Sequence, residues 1–186
     1  MSDGLVELLC RPVTEAAIGL LGWRLQSGEG SATTEVVLTE VEAYGGASDP
    51  ASHAYRGKTN RNASMFLEAG ALYVYRSCGI HWCANAVVGP VGEGAAVLLR
   101  AGKPTKGRTV MESRRGRQDH LADGPGKLCQ AMSIDGTHDG TSLVDGPIRL
   151  VPPDGRADGF VTASPRIGIS RATDRLWRFS LGSTDS

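Results

Sequence analysis

At 186 residues, 40% of them hydrophobic and with a formal net charge of zero, the chain has the size of one domain and can bury one proper core. That composition excludes a disordered chain. No apolar run reaches membrane-spanning length and the N-terminus lacks a basic-then-apolar leader, so an intracellular protein (cytoplasm or nucleoid if bacterial) that contacts no membrane is expected. Cys10, Cys78, Cys83 and Cys129 include no Cys-x-x-Cys pair, which argues against a zinc site of the common kinds; no metal and no cofactor are expected.

Residues 11–22 read as a first helix, with Pro12 early, Gly22 at the stop, and Val13, Ala17, Leu20 and Leu21 as its apolar stripe. Residues 23–26 suit a short strand and residues 27–33 a polar turn. Residues 34–42 form a strand that carries Glu40 and Glu42 on one face and runs into Tyr44-Gly45-Gly46. Residues 45–63 make a long polar loop containing His53, and such loops are often functional. Residues 72–85 read as a β-hairpin turning at Gly79, with Tyr73 and Tyr75 on one face and Leu72 and Val74 on the other.

Residues 95–101 are a buried strand by their continuous apolar run, with Arg100 near its end. Residues 102–122 are basic and read as part helix, part mobile loop. A short helix follows, from Gly124-Pro125-Gly126-Lys127 to Met132, whose first amides and Lys127 could hold a phosphate. Residues 136–146 are an Asp- and Gly-rich turn. Residues 147–151, 166–169 and 177–181 are short strands, and residues 183–186 should fray. There is no repeat and no linker. The mixture predicts a single α+β domain over residues 1–186: a curved, mostly antiparallel sheet with peripheral helices.

The neutral charge is unevenly spread. Residues 100–117 hold seven basic residues, among them Arg114 and Arg115, against Glu112 alone, and residues 118–158 carry seven Asp. Arg56, Lys58 and Arg61 form a smaller cluster. Such a chain can present one basic face while staying neutral overall. Two tyrosines on one strand face suit stacking on flat ligands, and a carboxylate at the junction of a strand and a Gly-rich loop is well placed as a general base.

Taken in order, Thr39-Glu40-Val41-Glu42-Ala43-Tyr44, Ser52-His53, Arg61-Asn62, Met65-Phe66, Leu72-Tyr73-Val74-Tyr75, Cys78-Gly79, Asn85, the segment Gly94 to Ala101, Gly124 to Ala131, and Pro165-Arg166-Ile167-Gly168-Ile169 resemble the alkyladenine (3-methyladenine) DNA glycosylase family of animals and bacteria. The resemblance runs from about Leu8 to Leu181. It implies a monomeric, monofunctional glycosylase on double-stranded DNA, whose hairpin enters the minor groove and which flips a damaged purine into a pocket. Glu42 would be the base that activates water, with Arg100 and the main-chain carbonyl of Ile167 helping to hold that water. Tyr44 and Tyr75 would be the aromatic walls, His53 would close the sandwich, and Asn85 would crowd the exocyclic amino group of normal guanine. Arg61, Cys78, Gly79, Ile80 and Lys127 would contact DNA.

One position departs from the family. Animal members carry a bulky Tyr immediately before the hairpin glycine, as a wedge for the space left by the flipped base; here that position is Cys78. Ile80 is the nearest bulky apolar residue. Two other classes compete. A non-catalytic damage binder on the same fold would not need Glu42 and Arg100. A zinc deaminase would need His-x-Glu and Pro-Cys-x-x-Cys, and the chain has neither.

Overall fold

The computed structural model describes residues 2–155 and 159–182, so the expected fraying at 183–186 lies outside the described residues. In chain order the elements are α1 (Ser2–Leu9), α2 (Val13–Leu20), β1 (Arg24–Ser27), β2 (Thr34–Gly45), β3 (Leu72–Ser77), β4 (His81–Val88), β5 (Ala95–Lys106), α3 (Arg108–Arg115), α4 (Pro125–Met132), β6 (Ile148–Val151), β7 (Phe160–Ser164) and β8 (Arg178–Gly182). Short 3-10 turns occupy Gly46–Ser48, Ala63–Phe66 and Gly136–His138. The expected α+β class with a curved antiparallel sheet and few helices is what the structure has.

β2 is the axis of the sheet. One of its edges pairs with β5 along nearly its whole length. Its other edge is shared: β1 takes Thr34 to Val37 and β8 takes Glu40 to Glu42. The path β3-β4-β5-β2-β1-β6 then carries the hairpin at one side, with β7 beyond β8.

Alternation sorts side chains to two faces. Val41, Ala43, Leu72, Val74, Ala84, Ala86, Val97 and Leu99 join the main core, with Leu20 of α2 and Leu128 of α4. Tyr73, Val87 and Ala96 point the other way, into a smaller cluster with Ala54, Met65 and Phe66. Tyr44 and Tyr75 pack against that cluster, which forms the floor beneath the 46–66 loop.

Several expectations need correction. α1 was not anticipated; it buries Leu5 and Leu9. β5 runs past Ala101 to Lys106 because Gly102 lets Val36 lie close: a Cβ there would stand 2.6 Å from a Val36 methyl. The basic segment is therefore strand and then α3. Residues 166–169 form no strand; the strand is Phe160–Ser164. Pro165 has no N–H to continue a ladder, and Gly168, at φ +75°, turns the chain. The Ile167 amide instead donates to Glu42.

Gly46 ends β2 at φ +63°, and a Cβ there would lie 2.5 Å from the Glu93 carbonyl oxygen. Gly46→Ala should therefore cost about 1–3 kcal/mol through backbone strain. A lower urea midpoint at unchanged m-value would show it; an unchanged midpoint would contradict it.

Candidate active site

The register of the sheet lines up the chemistry. Tyr73 pairs with Asn85, Asn85 with Leu98, Leu98 with Glu42, and Glu42 with Arg178. Four strands thus place Tyr73, Asn85 and Glu42 in one row on the face away from the main core. One step away on opposite sides of this row lie Tyr44, opposite Ala96, and Tyr75, opposite Cys83.

Glu42 has no exposed surface. Its Oε2 accepts from the Tyr44 hydroxyl at 2.8 Å, and its Oε1 accepts from the Ile167 N–H at 2.8 Å. Arg100 Nη1 stands 3.3 Å from Oε1, while Arg100 Nε donates to Glu40 at 2.7 Å. Glu40 and Glu42 therefore meet one guanidinium, as their spacing by two suggests. It is the amide of Ile167, rather than its carbonyl, that reaches Glu42. Burial and the charge of Glu42 hold the Tyr44 hydroxyl well above the usual phenol range, so Tyr44 remains a donor.

Tyr44, Arg100 and Ile167, the partners of Glu42, line a cleft of about 820 Å³, whereas Glu42 itself is not among its lining residues. Tyr44, His53, Arg61, Tyr75, Cys78, Asn85, Arg100 and Ile167 all face it. Tyr73 and Tyr75 stack at 5.5 Å, and the His53 ring stands edge-on to Tyr75 at 83°. His53 Nδ1 lies 3.0 Å from the Tyr73 hydroxyl, which burial pushes up to about 12. Desolvation, then the Arg61 guanidinium, hold His53 below the usual imidazole range. The Asn85 amide donates to the Tyr73 carbonyl at 3.0 Å.

Gly79 and Ile80 form the hairpin tip with Cys78, outside the lining; Ile80 is 65% exposed, and Cys78 adopts φ +49°. Lys127 is also outside it, paired with Asp123 at 2.9 Å, although Pro125 of the same helix faces the cleft.

Most of the basic stretch from Arg100 to Arg117 is engaged within the fold. Lys106 pairs with Glu35, Arg108 with Glu112 and Arg117 with Asp119, while Arg114 donates to Thr34 and the Ala131 carbonyl. Thr34 opens β2, eight residues from Glu42, or roughly 26 Å at strand rise. The cleft collects Arg56 and Arg61 of the smaller cluster, Arg100 of the larger one, and Arg76 and Arg171, with no carboxylate among its described lining residues.

The chain matches the family model described as "Methylpurine-DNA glycosylase (MPG)" over residues 7–184. It belongs to the methylpurine-DNA glycosylase family. Relatives named "Putative 3-methyladenine DNA glycosylase" include one from Frankia casuarinae (45% identical, covering 96% of this chain and 88% of the relative). Another is from Granulibacter bethesdensis (50% identical, 91% and 79%), and a third is from Agrobacterium fabrum (47%, 92% and 84%). Membership makes the chain a DNA glycosylase, with DNA as its substrate. No helix among the described residues is long and apolar enough to cross a membrane.

Three residues of this glycosylase went unassigned in sequence. Buried Asn62 accepts from Thr59 and donates to the His53 and Gly57 carbonyls, closing the loop that carries His53. Arg166 and Asp49 form an ion pair with both side chains fully buried. Neither carries a local signal, since 117 positions separate them. Burial opposes the charge of Asp49, but hydrogen bonds from Arg166, Gly45 and Ala51 outweigh it and hold this carboxyl below its ordinary range.

A depressed carboxyl contributes stability that is fully present above its ordinary value and is lost as pH falls through its folded value. Stability should therefore decline on the acid side, and Asp49→Asn should flatten that decline while lowering stability at neutral pH. Urea midpoints measured from pH 7 to pH 3 would test this; parallel curves for the two proteins would refute it.

Proposed function

We propose that this chain is a monofunctional 3-methyladenine DNA glycosylase, acting as one domain and as a monomer, inside the cell, on alkylated purines in double-stranded DNA. The observation that carries the reading is Glu42: a fully buried carboxylate held by Tyr44, Ile167 and Arg100 beside an aromatic, arginine-lined cleft. The names of the relatives support the same substrate class.

A glycosidic bond inside the stack is out of reach, so the nucleotide must be extruded. The tyrosines and His53 suit a flat base, and aromatic faces favour a cationic alkylated purine. Water attacks the anomeric carbon of the sugar as its proton passes to Glu42. The glycosidic electron pair leaves with the base, and an intact abasic site remains. The Glu42 carboxylate also offsets positive charge developing on the sugar. Asn85, whose amide donates to the Tyr73 carbonyl, would crowd the exocyclic amino group of guanine. Hypoxanthine and ethenoadenine are further candidate bases. The cleft arginines would neutralise phosphates.

Dimethyl-sulfate-treated duplex incubated with the protein and a chelator should yield free methylpurine, read by mass spectrometry; no release would leave a non-catalytic binder. Glu42→Gln should lower single-turnover excision by roughly 10²–10⁴-fold while binding to abasic-site duplex survives. Near-normal excision by this variant would remove Glu42 from the role.

At the hairpin tip, Cys78 cannot stack on neighbouring bases, and base–aromatic stacking is worth about 1–3 kcal/mol. Cys78→Tyr should tighten binding to abasic-site duplex by about 5–150-fold, and Ile80→Ala should weaken it. Fluorescence anisotropy reads both. If neither substitution changes affinity, the wedge lies elsewhere.

A further inference from the structure

The loop that brings Ile167 to Glu42 has no ladder of its own, and the Ile167 residue is half exposed. Its anchor is the preceding residue. The Arg166 guanidinium forms a bidentate pair with Asp49, with Nη2 to Oδ1 at 2.9 Å, and Nη1 donates to the Ala43 carbonyl at 2.9 Å. Asp49 is fixed in turn by the Gly45 and Ala51 amides, each at 3.2 Å. These contacts tie the loop to the end of β2, on both sides of Tyr44.

The same guanidinium lies between two rings. Its Cζ is 4.7 Å from the centroid of Tyr44 and 5.2 Å from that of Trp177. Tyr44 faces the cleft, whereas Arg166 and Trp177 do not, so Arg166 backs the hidden side of an aromatic wall. Among the described residues its Nε has no hydrogen-bond partner, so the fork and the two ring faces hold the group in place.

We infer that Arg166 is a positioning residue for the glycosylase reaction, aligning Glu42 from both sides. Its main chain leads directly into the peptide whose N–H meets Oε1, and its planar cation sets the ring whose hydroxyl meets Oε2. The inference rests on the reading of Glu42 as the base. A rigid, forked, stacking cation is needed for both tasks at once, and a lysine ammonium supplies neither the fork nor the flat face. Arg166 touches neither water nor sugar; it acts through Tyr44 and Ile167.

The test uses the full chain with Arg166→Lys, which keeps the charge, and Tyr44→Phe, which keeps the ring but removes one of the two contacts. Single-turnover release from dimethyl-sulfate-treated duplex is read beside affinity for abasic-site duplex and thermal midpoint. Misplacement of a reacting group by about 1 Å can cost on the order of 10²-fold. Arg166→Lys should therefore slow excision by about 10–100-fold with affinity for abasic-site duplex little changed, because no base then rests on Tyr44. It should also cost less in the Tyr44→Phe background than in the wild type, since the two share a target.

A wild-type rate in Arg166→Lys would overturn the inference. So would strict additivity with Tyr44→Phe, or a rate loss matched by an equal loss of affinity, which marks a merely structural role. Failure of the underlying reading looks different: Glu42→Gln would then remain active. A fully active Arg166→Lys beside an inactive Glu42→Gln rejects the positioning role alone.

Discussion

Glu42 is a carboxylate with no exposed surface, and the site depends on that burial. Taking an ionised carboxylate out of water costs several kcal/mol unless donors replace the lost hydration. Here the donors come from three places in the chain: Tyr44 on the same strand, Arg100 on β5, and the Ile167 amide from the C-terminal loop. No single segment could supply them. The loop is free to do so because its Pro165 and Gly168 keep it out of a ladder.

The strands that carry Tyr73, Tyr75 and Asn85 into the cleft lining, and Glu42 to the same face of the sheet, carry Leu72, Val74, Ala84 and Ala86 into the main core. A one-residue slip in any of these pairings would exchange the two sets, so burial of the apolar face fixes the position of the polar one. Chemistry mounted on strands of this kind is held more precisely than chemistry mounted on loops. His53 and the Ile167 amide come from loops, and the His53 loop is closed by the four hydrogen bonds of Asn62.

The charge distribution follows the same economy. The chain is neutral overall, yet its cleft is lined by arginines. Much of the basic stretch is engaged inside the fold, by Glu35, Glu112, Asp119 and the carbonyl of Ala131. The arginines that face the cleft come from the His53 loop, the hairpin and the residues after Gly168, with Arg100 alone from the basic stretch. A count of basic residues along the chain finds Arg56, Arg61 and Arg100 in its clusters but not Arg76 and Arg171, which the fold adds to the cleft.

The sequence by itself determined what local rules govern. Alternation over residues 34–42 and 72–75 identified strands, their faces, and the carboxylates and tyrosines they present. The ordered motifs from Thr39 to Ile169 were sufficient to indicate the family. Pro12 and Gly22 bounded α2 closely. The same rules misread Arg166 to Ile169 as a strand, because an extended apolar segment looks alike whether its amides enter a ladder or meet a buried carboxylate. They also ended β5 too early at Gly102, where the missing Cβ serves close packing rather than a turn. Only the tertiary structure decided that Asp49 and Arg166, 117 positions apart, form a buried pair behind Tyr44, and that Tyr73, Asn85 and Glu42 share one row. The physical reason is that register and ion pairing are long-range. They depend on which strands meet and on what burial then requires, and no single stretch of sequence carries that information.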